Sequence, residues 1–136
     1  MTLNNARAAA NAPRILVAED NPAVREFIVR SLMTVGYNIT SVCDGQQALD
    51  LLSQQKIDVL VTDIVMPNLD GIALSLKAVR LFPDLRVVMI SGYAQERLRA
   101  HNLDALVHRI IAKPFSLEEI CDAVKSSLAL PPEGIS

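Results

Sequence analysis

Short continuous apolar runs alternate with helical periodicities along most of the chain. Residues 14–18 (RILVA) are apolar, too short for a helix and rich in strand formers. Asn21 then offers a cap and Pro22 takes the first helical position. Val24, Phe27, Ile28, Leu32 and Val35 recur at helical spacing until Gly36 closes the segment. Residues 38–43 (NITSVC) predict a second strand, and Asp44 caps a short helix with Ala48, Leu51 and Leu52 on one face. The unit then recurs. Residues 58–62 (DVLVT) predict a third strand, followed by a loop through Pro67 to Gly71 and a helix carrying Ile72, Leu76 and Val79. That helix reaches Leu81, where Pro83 and Asp84 interrupt it. Residues 86–90 (RVVMI) predict a fourth strand, 94–103 a weakly amphipathic helix and 106–112 (LVHRIIA) a fifth strand. Ser116 caps a last helix whose core face is Leu117, Ile120, Val124 and Leu128, with Glu118 and Glu119 at its positive end.

Strands separated by helices imply parallel βαβ units with helices on both faces, and continuous apolar runs suit strands buried on both sides. The expected fold is α/β: a five-stranded parallel sheet, doubly wound, of the flavodoxin-like (βα)5 type. The folded domain is expected over residues 14–130, with tails at 1–13 and 131–136. The chain's 136 residues, 51% of them apolar and 21% charged, suffice for one ordinary core without metal or disulfide staples. A net charge of −2 argues against a nucleic-acid cradle or a polybasic membrane anchor. No apolar run approaches the roughly 18 residues of a membrane span, so a cytoplasmic protein is expected. Cys43 and Cys121 are too few for a disulfide framework and read as small buried apolar residues. His101 and His108 read as surface residues, and Arg97, Arg99 and Arg109 as a solvated basic patch.

A sheet of this type places its site at the carboxyl ends of its strands. The first strand ends in Glu19 and Asp20, the third in Thr62 and Asp63, the fourth in Ser91, and the fifth in Lys113 and Pro114. Taken singly, each is ordinary: Asp20 as a helix cap, Asp63 as a loop residue, Ser91 as part of a turn, Lys113 as an edge charge. Their joint placement is not. Three carboxylates at one edge repel unless a cation joins them, and Mg²⁺ is the hard, oxygen-seeking ion that suits such a set. A carboxylate can then attack a phosphoryl group while metal and lysine stabilise the spreading charge.

Four segments carry a family resemblance: RILVAED (14–20), TDIVMPNLDG (62–71), VVMISGYA (87–94) and KPFSLEEI (113–120). Together they resemble the receiver domain of two-component response regulators, over roughly residues 14–130. The resemblance implies that Asp63 is phosphorylated by a phosphohistidine of a sensor histidine kinase or histidine phosphotransferase. It implies Mg²⁺ held by Asp20 and Asp63, by Glu19 through water, and by the backbone carbonyl of Val65. Ser91 would be the switch hydroxyl, Lys113 the phosphate's charge partner, and the bond before Pro114 cis. Catalysis would extend only to the domain's own phosphorylation and dephosphorylation. Two positions depart from the family pattern. Ile110 stands where receivers commonly carry an aromatic, which makes Tyr93 the substitute switch, and an apolar Val65 follows Asp63 by two. Only PPEGIS follows the last helix, so output is expected through a separate protein docking on the surface of the 94–103 helix, last strand and last helix, with Leu98, Leu103 and Leu106 as contacts. The run AEDNPAVREFIVRSLMTVGY most resembles stand-alone alphaproteobacterial cell-cycle receivers, some of which are adaptors in a Clp protease system, and SGYA resembles receivers of hybrid kinases. Two other readings stand beside these: a phosphorylation-independent binding adaptor with the receiver fold, and a Mg²⁺-dependent aspartyl phosphatase. The second is weakened by Asn21-Pro22 where such enzymes carry another acid.

Overall fold

The computed structural model describes residues 11–92 and 109–129. The elements run β1 (Arg14–Ala18), α1 (Pro22–Met33), β2 (Asn38–Val42), α2 (Gly45–Leu52), β3 (Val59–Asp63), α3 (Gly71–Leu81), β4 (Arg86–Ser91), β5 (Arg109–Ala112) and α4 (Leu117–Ala129). The expected helix over 94–103 lies outside the described residues, as do Tyr93, Leu98, Leu103, Leu106, both histidines, Arg97 and Arg99. All five strands pair in parallel, in the order β2-β1-β3-β4-β5. The expected doubly wound sheet is therefore present.

The pleat distributes the apolar runs between two cores. Ile15, Val17, Val59, Val61, Val88 and Ile90 face α1 and α4, meeting Ile28, Leu32, Ile120 and Val124. Leu16, Ala18 and Leu60 face the other way, onto Ala48 and Leu52 of α2 and Leu74 and Ala78 of α3. Central strands buried on both sides account for runs without polar alternation. Caps set the helix starts. Asn21 Oδ1 accepts from the amides of Ala23 and Val24 at 2.9 and 3.1 Å, and Asp44 Oδ1 from Gln47 at 2.8 Å. Ser116 and Glu119 form a reciprocal box, each side chain accepting from the other's amide at 3.1 and 2.9 Å.

Several expectations need correction. β3 begins at Val59 rather than residue 58, because the Asp58 carboxylate turns back to accept from the Arg14 amide at 2.8 Å. Its last residue is Asp63. Cys43 is exposed, since β2 is an edge strand ending at Val42, and Cys121 is only half-buried. On α3 the buried face is Leu74, Ser75, Ala78 and Val79, with Leu76 only partly covered. Phe27, Val35 and Leu117, read as core positions, are 41%, 49% and 41% exposed. Phe27 and Leu117 sit at the rim of their helices' apolar stripes, where spacing alone cannot separate buried from bordering positions, and Val35 lies in the turn beyond the end of α1 at Met33.

Candidate functional site

β1 hands its chain to α1 through Glu19 and Asp20. Arg25 on α1 donates Nη1 to the Glu19 carbonyl at 2.8 Å, and the Asn21 amide donates to Glu19 Oε2 at 3.1 Å. One strand over, Asp63 ends β3 in register with Ile90, and the next amide, of Ile64, donates to the Ile90 carbonyl at 3.1 Å. Gly71 opens α3 hard against this point: a Cβ there would overlap the Asp63 carbonyl, so no larger residue fits without moving β3. At the far side, the Lys113 amide continues the ladder by donating to the Ser91 carbonyl at 2.9 Å. The Lys113–Pro114 peptide is cis. Backbone pairing thus brings the ends of β1, β3, β4 and β5 to one edge before any side chain is considered.

At that edge the acids converge. Oxygens of Glu19, Asp20 and Asp63 lie within 4.8 Å of one another. Glu19 is fully buried, Asp63 nearly so, and Asp20 is exposed. Lys113 Nζ donates to Asp63 Oδ2 at 2.8 Å and stands 3.4 Å from Glu19 Oε1. Burial pushes the Glu19 carboxyl up to about 7; the amide of Asn21 pulls it down, and the Asp63 charge adds to the rise. For Lys113, burial works to lower the pKa, but the hydrogen bond and charge of Asp63, with Glu19, outweigh it and hold the ammonium above its ordinary value. Glu19 Oε1 is buried and accepts no hydrogen bond. Three converging carboxylates, one of them fully buried and sharing a single ammonium with Asp63, fit a hard divalent cation with oxygen ligands.

The other predicted positions fall around this cluster. Ser91 ends β4 and is buried. Val65 is 56% exposed on the β3–α3 loop, while Met66 beside it is buried in the core with Leu60 and Leu74. Ile110 packs against the cluster of Ile64, Val87 and Met89, where it acts as an apolar filler. Three features escape a reading of the strand ends: the Arg25 clamp, the Gly71 contact, and Asn68, whose Nδ2 donates to Asp44 Oδ2 at 2.9 Å. The signals present in the sequence were an arginine on the first turns of α1 and an Asn, a residue that tolerates the left-handed φ of 69° it adopts, in the loop between Pro67 and Gly71. Beside Lys113 lies a shallow, largely apolar cleft of about 430 Å³, lined by Ala23, Val24, Phe27, Lys113, Pro114 and Phe115. The rings of Phe27 and Phe115 are 5.8 Å apart.

The model of the response regulator receiver domain matches residues 15–125. A response regulator receiver protein, CpdR of Brucella abortus, is 35% identical over 115 residues, covering 85% of this chain and 96% of the relative. The sensor kinase CckA of the same organism is 35% identical over 117 residues, which are 84% of this chain but 12% of the kinase. Among solved structures, the response regulator TrrA of Thermotoga maritima, in complex with Mg²⁺ and BeF, superposes with a TM-score of 0.78 at 26% identity, covering 85% of this chain and 99% of that one.

Proposed function

The chain belongs to the response regulator receiver domain family, and from that footing we propose that Asp63 is its phosphoacceptor and that Glu19, Asp20, Asp63 and the Val65 carbonyl hold Mg²⁺. The observation that carries this reading is the convergence of three carboxylates on one edge with Lys113 Nζ 2.8 Å from Asp63. A bound Mg²⁺ supplies neutralising charge for the acids and for the incoming phosphoryl oxygens. That TrrA was solved with Mg²⁺ and BeF supports the same occupancy here.

Transfer then needs little from the protein beyond position and charge. An Asp63 oxygen attacks the phosphorus of a phosphohistidine. The P–O bond forms as the P–N bond breaks, and the electron pair passes to the departing imidazole. Lys113 stays at the phosphoryl group and balances its charge, and the Ser91 hydroxyl hydrogen-bonds a phosphoryl oxygen. The phosphorylated state thereby biases the surface around β4 and β5 toward one arrangement, which a separate protein reads.

The donor is a sensor kinase or histidine phosphotransferase, and it must cover the surface around Lys113 to reach Asp63. The apolar cleft with Phe27 and Phe115 adjoins that lysine and is where such a donor seats. Phe27→Ala should slow transfer from a phosphohistidine protein while leaving the reaction with acetyl phosphate unchanged.

The primary test is intact mass after incubation with acetyl phosphate, with and without Mg²⁺, alongside Asp63→Asn. One added phosphoryl group requiring both Mg²⁺ and Asp63 is expected. Absence of an adduct, and of any beryllofluoride complex, would overturn the reading in favour of a phosphorylation-independent adaptor. Sustained turnover of a phosphomonoester would favour the phosphatase.

A further inference from the structure

The β3–α3 loop leaves Asp63 and returns at Gly71, whose amide donates to the Ile64 carbonyl at 2.7 Å. Inside that closure Met66 is driven into the core and the Leu69 amide donates to the Pro67 carbonyl at 2.8 Å. Asn68 sits at the tip with a φ of 69°, a conformation that Asn tolerates better than most side-chain-bearing residues. From there it reaches a different part of the fold. Its Nδ2 donates to Asp44 Oδ2 at 2.9 Å, while Asp44 Oδ1 is occupied by capping α2 through the Gln47 amide at 2.8 Å. One carboxylate thus starts a helix and holds a loop. The next residue, Gly45, reinforces the junction: a Cβ there would overlap the Leu69 carbonyl, so α2 and the loop are in direct backbone contact.

We propose that the Asp44–Asn68 hydrogen bond is a positioning device that anchors the β3–α3 loop to α2 and thereby sets the affinity of the acid cluster for its divalent cation. The inference rests on the proposed metal role of Asp63 and the Val65 carbonyl. Val65 lies on this loop, three residues before Asn68 and one before the buried Met66. The loop is therefore pinned on one side of Val65 by β3 and on the other by Met66 and Asn68. Freeing the tip leaves the ligand-bearing segment held between its two ends by the packing of Met66 and Leu69 without a polar tether, so part of the cation's binding free energy goes into ordering the loop. Neither Asp44 nor Asn68 touches the cation; both act through the loop.

Variants of the pair separate this role from simple loss of structure and from net charge. Asn68→Gly removes the amide and relieves the backbone. Asn68→Asp spoils the bond by setting two acceptors face to face and adds a negative charge, whereas Asp44→Asn removes a charge yet keeps a bond, because the Asn68 amide can turn over and accept from the new amide. The double swap Asp44→Asn/Asn68→Asp restores donor to acceptor, keeps the total charge, and leaves an oxygen at position 44 to cap α2. Mg²⁺ titrated by calorimetry into each folded protein should bind about three- to tenfold more weakly in Asn68→Gly and Asn68→Asp, with Asp44→Asn within about twofold of the native protein. The double swap should return to within about twofold. The phosphorylation rate by acetyl phosphate at saturating Mg²⁺ should stay near that of the native protein, with the half-saturating Mg²⁺ concentration raised in the two Asn68 single variants. Tighter binding by Asn68→Asp, failure of the swap to restore affinity, or an unchanged affinity in Asn68→Gly would overturn the proposal. If the native protein itself binds no Mg²⁺, the metal site falls and the tether with it; if it binds and the two Asn68 single variants match it, only the tether falls.

Discussion

Glu19 makes the metal-free protein sensitive to pH in an unusual direction. Its carboxyl is fully buried, and burial, with the Asp63 charge, raises it from 4.5 in the unfolded chain to about 7. Between those values the folded state keeps a proton that the unfolded state has released. Stability from this group is therefore complete below about pH 4.5 and is lost as the pH rises through 7. Integrated over the two titrations, the loss between about pH 5 and pH 8 is on the order of 2–3 kcal/mol. Urea denaturation in EDTA, followed by far-UV circular dichroism across that range, reads it directly. Glu19→Gln is the control, because the amide oxygen still accepts from Asn21 and the titration is gone. The difference in unfolding free energy between the native protein and Glu19→Gln should change by about 2–3 kcal/mol, the native protein losing ground as the pH rises. Parallel profiles would refute the reasoning. Saturating Mg²⁺ should flatten the difference, because a cation favours the ionised carboxylate that burial disfavours.

Other consequences are simpler to measure. Gly71→Ala pushes a methyl into the Asp63 carbonyl and should cost about 1–3 kcal/mol in urea denaturation, with loss of the acetyl phosphate adduct. Asp20→Asn removes an exposed carboxylate, so stability should stay within about 0.5 kcal/mol while calorimetry shows Mg²⁺ affinity falling at least about tenfold. Ser116→Ala breaks the reciprocal cap of α4 and should lower stability by about 1 kcal/mol. With a thiol-reactive disulfide reagent, exposed Cys43 should react first. Cys121 should lag by about an order of magnitude, because burial raises its pKa and its thiol donates to the Ser31 carbonyl at 3.3 Å; Cys43→Ser should abolish the fast phase.

How much of this was legible in the sequence depends on the range of the interaction. β1, α1's start and the caps of α2 and α4 follow from residues within four positions of one another, and there pattern and structure agree. The convergence of Glu19, Asp20, Asp63 and Lys113 was legible because a parallel sheet sends every strand's carboxyl end to the same edge. Phe27 and Leu117 were misjudged because they border an apolar stripe, and Cys43 because it follows the end of an edge strand; only tertiary packing decides which such positions are wet. Asp44 read as a cap and nothing more. Its second oxygen serves Asn68, 24 positions away, and no periodicity encodes such a pairing. The same holds for Gly71, which read as the end of a loop, and for Gly45, which carried no reading at all; both are points where backbones meet.

The contrast between scaffold and site explains why a small cation and a phosphoryl group suffice as signals. The scaffold is locally consistent: the acid-bearing turn is clamped by Arg25 and Asn21, the end of β3 at Asp63 by Gly71, and the loop that follows by Asp44. The site is not, since three carboxylates face one ammonium and the buried Glu19 oxygen accepts no hydrogen bond. Rigid surroundings prevent the acids from moving apart to relieve their repulsion, so the imbalance persists until a cation arrives. Phosphorylation at Asp63, as proposed, would add negative charge there and strong acceptors within reach of Lys113. Lys113 is tied through its amide to the Ser91 carbonyl, so a displacement of its side chain is transmitted to the end of β4. On this account Lys113→Arg should preserve the adduct yet impair output. The larger planar guanidinium keeps the charge but cannot occupy the position 2.8 Å from Asp63 and 3.4 Å from Glu19 that a compact ammonium fills. Normal partner binding by phosphorylated Lys113→Arg would show that charge alone, and not its placement, carries the signal.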